Sequence, residues 1–538
     1  MLLAVVAACV VVSTGTFAYE PDLWQHLAVG RALWTTRSIP HAQVWTWPTY
    51  GTPDVLPSWG FRALLWPFWA LAGVAGLYFW RWITTLAAFA ILCASGRRMG
   101  ARGATALVAV ALCGLAYRSR AQVRPETLVA VLLALEIWIL ETRRLGGRDH
   151  GVWLLAVAVA WANVHLSYYL GFVVLGAYAA ESWRRERRVP TRLLALAAGM
   201  AVVSLANPFG WRALWQPIDF ALHGRKEVIY QDILELRPVD WSTHRTDGLP
   251  LVVLGWPLLL LWRARRRGVD LAEVLLCAWF TATGLAVRRF TGFHTLVAVP
   301  FLMRDLDAWI AARAWPRWSA PPRVRAAAAC AACVLLCAPE WWRAGPPFRT
   351  AFPMEQVPVR ACDFMAEHGV RGRAFNPFYF GGYLLWRFWP EYQRLPFIDI
   401  HQAGTPELRF RYMRAFYRPI GWSELEQRFR FDWVLLDRQQ HGADRLLDFV
   451  DADARFALVF LDDVGAVYVR REGPLSGVAG RFGYGTLPAA PAGRSAVFQR
   501  CLADTSLRRR VVAELEREAA GSSWNRMATS ALAALGAR

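Results

Sequence analysis

LLAVVAACVVVSTGTFA, residues 2–18, runs directly into YEPDLWQHL, residues 19–27. The first stretch carries no charge and approaches the roughly 20 apolar residues that cross a bilayer as a helix. The second sets two carboxylates, Glu20 and Asp22, and the imidazole of His26 within seven residues. Placed where an apolar helix leaves the membrane, beside Tyr19 and Trp24, these groups are partly desolvated. Desolvation raises carboxylate pKa values, which suits a general base. The same residues also fit a plain helix start, with Asp22 as cap and His26 one turn on. The residues alone leave both readings open. A cleaved leader, or a lipoprotein site at Val6-Ala7-Ala8-Cys9, calls for a basic start that this segment lacks.

Comparable apolar runs follow at 73–96, 103–117, 127–140, 152–165, 167–183, 193–206, 249–262, 270–287, 290–303 and 324–338. Composition agrees: 56% of the 538 residues are hydrophobic and 19% charged, against about 25% charged in soluble domains. The expected fold class is an α-helical polytopic membrane protein with about eleven transmembrane helices. With the N-terminus inside, arginines 97, 98, 102, 143, 144 and 148 fall in cytoplasmic loops. So do the clusters at 184–192, 263–267 and 304–325. This is the positive-inside pattern, and it places residues 339–538 outside the cytoplasm. It requires 58–70, SWGFRALLWPFWA, to lie along the interface as an amphipathic helix rather than cross. The net charge of +20 is then a topology marker, not a nucleic-acid footprint.

After residue 339 the texture changes. Pro346, Pro347, Pro353 and Pro358 mark a linker. Strands are expected at 373–376, 396–400, 432–437, 456–461 and 466–470, and helices at 356–368, 381–389, 405–416, 422–430 and 443–453. The chain therefore divides into a transmembrane part (1–338, with a first outer loop at 19–72), a C-terminal extracytoplasmic α/β domain (339–472) and a tail (473–538). In the tail, 473–495 reads as loop and 496–535 as amphipathic helix. Seven of the nine cysteines lie in apolar runs, where Cys330, Cys333 and Cys337 at helical spacing read as packing. Only Cys362 and Cys501 are placed to form a disulfide.

Arginine on the outer side breaks the charge rule. Arg118, Arg120 and Arg124 lie between the third and fourth spans, and Arg288 and Arg289 follow the ninth. A guanidinium at that level needs a partner: a lipid-linked phosphate, or a protein acid such as Glu126. His165 ends WANVH (161–165), and His294 opens the tenth span on the same face as His26. Three histidines with Asp22 would suffice for a metal, although an isolated histidine at a helix end usually satisfies a backbone group. In the outer domain, Asn376, Tyr379, Gly381 and Gly382 form a strand-to-helix turn able to hold an anion or sugar hydroxyls. Asp399 and His401 end a strand where open sheets bind ligands. Both sets also read as a cap and a tight turn.

The stretch EPDLWQHLAVGRALWTTRSIPHAQVWTW (20–47) resembles the opening loop of a group of bacterial multi-spanning proteins similar to the GT-C superfamily of membrane glycosyltransferases. RSRAQVRPE, WANVH, SLANPFG, VRRFTGFH and FNPFYFGGYLLW leading to FIDIH follow in the same order over most of 17–470. One departure stands out: where the group commonly has His-Glu-Trp, this chain reads Pro57-Ser58-Trp59-Gly60. GT-C enzymes carry an acidic motif in the first outer loop, and Glu20-Pro21-Asp22 fits it. The resemblance implies glycosyl transfer from a polyprenyl-phosphate sugar to an extracytoplasmic acceptor (glycan, lipid or protein) at a bacterial inner membrane. Asp22 would be the base. Glu20 would support it or help hold a divalent cation (Mg or Mn), which some relatives need and others do not. Arginines such as Arg124 and Arg288 would stabilise the leaving phosphate. The competing readings are a non-catalytic membrane scaffold of the cell envelope and a lipid or polysaccharide transporter. Polar residues gather at one face rather than along the spans, which weighs against transport.

Overall fold

The computed structural model describes residues 1–15, 20–231, 233–319, 321–342, 354–401, 404–439 and 444–536. Tyr19 and the linker prolines 346, 347 and 353 lie outside these residues. Each apolar run read above forms a helix over most of its described length, from Leu2–Ser13 to Pro322–Cys337. Two helices, Trp59–Arg98 and Pro322–Glu340, are long and apolar enough to cross a membrane by length and composition.

Trp59–Arg98 is in effect two helices. Gly73 adopts φ 53, ψ −129, a conformation open mainly to glycine. Phe68 then packs on Trp80 with ring centroids 5.1 Å apart. In a continuous helix these residues would stand about 18 Å apart along the axis. The segment before Gly73, which carries the interface-helix expectation, therefore folds back on the one after it.

Helix Leu2–Ser13 belongs to the bundle core, against Ala104–Tyr117 and Pro322–Cys337. Cys9 Sγ donates to the Cys333 carbonyl at 3.5 Å, and Ser13 Oγ lies 3.5 Å from Cys337 Sγ. The cysteine stripe thus packs one helix on another. All nine cysteines are free, including Cys362 and Cys501, so the disulfide considered for that pair is not formed. Glu126–Arg144 runs from the site described below to an ionic cluster at the far end. There Arg144 and Arg304 meet Asp270 at 2.7 and 3.0 Å.

The C-terminal part is built on four strands: β1 (Ala374–Phe375), β2 (Trp433–Asp437), β3 (Phe456–Leu461) and β4 (Gly465–Arg470). Their order is β1-β2-β4-β3, with β1 parallel to β2 and the other pairs antiparallel. The expected strand at 396–400 is absent for a physical reason. The Asn376 side chain accepts from Phe397 N and donates to Ile398 O, both at 2.8 Å, doing the work of a neighbouring strand. Residues 473–495, read as loop, contain helices Ser476–Phe482 and the start of Pro491–Cys501. Thr505–Gly521 packs Leu507, Val511 and Leu515 into the same core as Phe456 and Tyr468. Arg438, buried, fastens it by bonding Glu518 and the carbonyls of Asp462 and Ala489.

This sheet-bearing part is welded to the first loop. Helix Phe378–Phe388 lies on Asp22–Thr36, where a Cβ at Gly382 would stand 3.0 Å from Gln25 N. Trp24 meets Tyr383 edge-on, and Arg31 donates to the Trp386 carbonyl at 2.8 Å while stacking on its ring. Gly381 and Gly382 therefore serve close packing rather than a loop around an anion: a Cβ on Gly381 would come within 2.3 Å of the Ile398 carbonyl.

Candidate active site

Between the helical bundle and the C-terminal part lies a cavity of about 1380 Å³. Its walls come from the first loop, the 124–126 turn, the end of Trp153–Val164, the long 207–248 connection, Arg289, the 378–380, 400–401 and 404–409 segments and one end of the sheet.

Asp22 is the first residue of helix Asp22–Thr36, and the cap position is Pro21, with no side-chain cap bond. The capping alternative therefore fails, and the carboxylate, 28% exposed, borders the cavity. Glu20 is buried and accepts from Arg124 Nε at 2.7 Å. Arg124 Nη2 also stands 3.5 Å from Asp22, and Nη1 bonds Glu235. One guanidinium thus holds three carboxylates. Arg120 adds a bond to Glu235 at 3.0 Å and lies 3.7 Å from Glu126. Burial pushes Glu20 up to about 7 against the pull of Arg124. Burial likewise raises Asp22 above the ordinary aspartate value, with Arg124 opposing and Glu235 adding to the rise. For Glu235 burial also works against the charge, but Arg120, Arg124 and Arg289 outweigh it and hold the group down at about 2.

Arg289 differs from the other arginines. Its Nε bonds Glu126 at 2.9 Å, while the side chain is 37% exposed at the cavity. Its terminal nitrogens make no hydrogen bond among the described residues. His26, one turn after Asp22, accepts at Nδ1 from Arg62 Nε at 3.2 Å. Burial and the charges of Arg62 and Arg124 lower its pKa well below the usual range, so the ring is neutral. His165, His401 and Tyr379 also border the cavity, with Tyr379 interacting with Asp437. His401 Nε2 lies 3.9 Å from Asp54. Ser58, in the Pro57-Ser58-Trp59 stretch that departs from the resembling group, is another lining residue.

Five of the residues singled out from the sequence stand elsewhere. Arg118 pairs with Glu340 behind the cavity wall. Arg288 is outside the cavity, its backbone N–H bonded to the Arg237 carbonyl. His294 is buried in helix Thr291–Ala311 against Trp256, ring centroids 5.5 Å apart, which breaks up the three-histidine constellation. Asn376 is committed to residues 397–398. Asp399, fully buried, accepts from His401 N at 3.0 Å, and burial raises its pKa. Sequence reasoning missed Glu235, Arg62 and Asp54 altogether. The 207–248 connection falls between the apolar runs read as spans, and no site residue was singled out in it, although its helix Trp211–Leu222 is amphipathic.

The side chains considered for a divalent cation, Glu20 and Asp22, face an arginine in this structure. Among the described residues no three His, Cys, Asp or Glu side chains converge as a ligand set. Arg124 already engages Glu20, Asp22 and Glu235, and Nδ1 of His26 is taken by Arg62.

No protein-family model matches the sequence, and no curated protein matches it significantly. Solved structures do share the fold. An archaeal oligosaccharyltransferase, AglB from Archaeoglobus fulgidus, solved with an inhibitory peptide and a dolichol-phosphate, aligns over 87% of this chain and 74% of its own, with TM-score 0.56 and 13% identity. The Archaeoglobus fulgidus oligosaccharyltransferase in its apo form aligns over 81% and 69%, with TM-score 0.55 and 12% identity. The arabinofuranosyltransferase AftD from Mycobacteria aligns over 88% of this chain at TM-score 0.52 and 16% identity. There the chain spans 40% of the larger protein. The chain therefore shares the fold of these solved structures.

Proposed function

We propose that the protein is a membrane glycosyltransferase that moves a sugar from a polyprenyl-phosphate donor to a hydroxyl acceptor. In this reading the cavity and the C-terminal part face outward from a bacterial inner membrane. The acceptor oxygen attacks the anomeric carbon as the bond from that carbon to the phosphate oxygen breaks. Asp22 takes the hydroxyl proton, and polyprenyl phosphate leaves with the bonding electrons. Arg289 offers its terminal nitrogens to the phosphate, where charge develops. Glu20 and Glu235 hold Arg124, and Arg124 in turn orients Asp22. No step passes through a metal. Bound dolichol-phosphate in the AglB structure supports a polyprenyl-phosphate ligand for this fold.

The observation that carries the reading is the contrast within the acidic motif. Glu20 is sealed against Arg124, whereas the Asp22 carboxylate is 28% exposed and borders the cavity. The test is Asp22→Asn, assayed by release of polyprenyl phosphate and by complementation of cells lacking the wild type. Loss of a general base costs roughly 10²- to 10⁴-fold in rate, with melting behaviour unchanged. A variant that retains full function would remove the catalytic assignment and favour a scaffold.

A further inference from the structure

WANVH ends in an imidazole whose protonation is dictated by its neighbours. His165 follows helix Trp153–Val164 in extended conformation, φ −162, ψ 149, and turns its ring onto the next turn. The backbone N–H of Ser167 donates to Nδ1 at 3.1 Å. Ser167 Oγ lies 2.7 Å from the same nitrogen. The Trp161 indole N–H donates to that Oγ at 3.1 Å, which leaves the hydroxyl hydrogen to point at Nδ1. With donors converging on it, Nδ1 carries the lone pair, and a neutral ring then holds its proton on Nε2.

Nε2 makes no hydrogen bond among the described residues. Its nearest charged neighbour, Glu126 Oε1, is 3.9 Å away, beyond hydrogen-bond reach. That oxygen already accepts from Arg289 Nε at 2.9 Å. His165 and Arg289 thus flank one carboxylate, both border the cavity, and both keep donors uncommitted.

We infer that His165 is a neutral donor of fixed tautomer, and that its Nε2–H and the Arg289 guanidinium bind one phosphate group, that of the polyprenyl-phosphate donor and leaving product. The inference rests on the glycosyltransferase reading. A ring locked this way neither deprotonates the acceptor nor ligates a metal through Nε2, so the base remains Asp22. Trp161 and Ser167 are positioning residues that act through His165.

The test uses the full chain in detergent with polyprenyl phosphate as probe, affinity being read by native mass spectrometry, and unphosphorylated polyprenol as control. Loss of one hydrogen bond to a charged group weakens binding roughly 10- to 100-fold, the result expected for His165→Phe. His165→Gln keeps a side-chain N–H and should recover part of that loss. Polyprenol binding should be the same in all three proteins. Nitrogen-15 spectra of histidine-labelled wild type, assigned by difference from His165→Gln, should show Nε2 protonated and Nδ1 bare. Wild-type affinity for polyprenyl phosphate in His165→Phe would overturn the ligand role, and a proton on Nδ1 would overturn the tautomer. A wild type that ignores polyprenyl phosphate would sink the glycosyltransferase reading and the ligand together, while the spectra still decide the tautomer.

Discussion

Replacing Arg124 by Met should destabilise the protein, and the loss should deepen as pH rises. Arg124 is 9% exposed and is the shared partner of Glu20, Asp22 and Glu235, of which Glu20 is the most deeply buried at 11% side-chain exposure. Removing one member of a buried ion pair costs about 3–5 kcal/mol, because the remaining charge is left uncompensated. Glu20 has an escape, since burial already lifts it to about 7. Without the guanidinium its folded-state pKa rises further above the unfolded value, and the group is accommodated protonated. A group whose folded pKa is raised contributes stability at low pH and loses it as pH climbs towards that pKa. The variant therefore stays closest to wild type near pH 6 and falls away by at most about 1.4 kcal/mol per pH unit above that. Adding Glu20→Gln removes the stranded charge and should restore about 2 kcal/mol or more, as a double-mutant coupling. Melting curves read from tryptophan fluorescence in detergent, at pH 6 and pH 8, measure all four proteins. If Arg124→Met melts like wild type at both values while losing affinity for polyprenyl phosphate, Arg124 is a ligand and not a counter-ion, and the assignment of charges is wrong.

Arg289→Met should behave in the opposite way, with affinity for polyprenyl phosphate reduced roughly 10-fold or more and melting little changed, both read on the same sample. Gly381→Ala should lower stability by about 1–3 kcal/mol, as overpacking does, since its Cβ would meet backbone at Ile398 and Asp399 rather than a movable side chain. Size-exclusion fluorescence and melting would report it; a variant indistinguishable from wild type would contradict the packing of Phe378–Phe388. The acid limb of kcat/KM should fall above the ordinary aspartate value of 3.8, with activity present above the limb and lost below it, because burial raises Asp22. Glu235→Gln removes a charge that raises Asp22 and should move that limb to lower pH. A limb at or below 3.8 in the wild type would show that Asp22 is not the base.

The helices of the bundle were legible because each leaves a contiguous apolar record along the chain. Four of the five expected strands were legible from short apolar runs. The fifth failed because a side chain, Asn376, supplies the bonds that a strand would have needed. Hydropathy reports that a residue is buried but not what it touches. The segment 58–70 could be set apart from the following span, yet nothing local announced that Gly73 turns the chain back until Phe68 meets Trp80.

The same limit governs the arginines. Five guanidiniums, Arg118, Arg120, Arg124, Arg288 and Arg289, at one end of the bundle invite a phosphate, because a charge at that level must be compensated. A carboxylate from a distant part of the chain compensates just as well. Arg118 finds Glu340, 222 residues away, and Arg124 reaches Glu235, 111 residues away. Both acids lie outside the apolar runs, and a loop count that weighs only basic residues passes over them. Once these partners are subtracted, the charge that looked like a phosphate-binding cluster is internally balanced. The arginine whose free nitrogens still face the cavity is Arg289, and beside it His165 is held by Ser167 so that it too can only donate. An anion-binding site on this fold is thus defined less by how many cations it gathers than by which donors the protein's own acids leave unused.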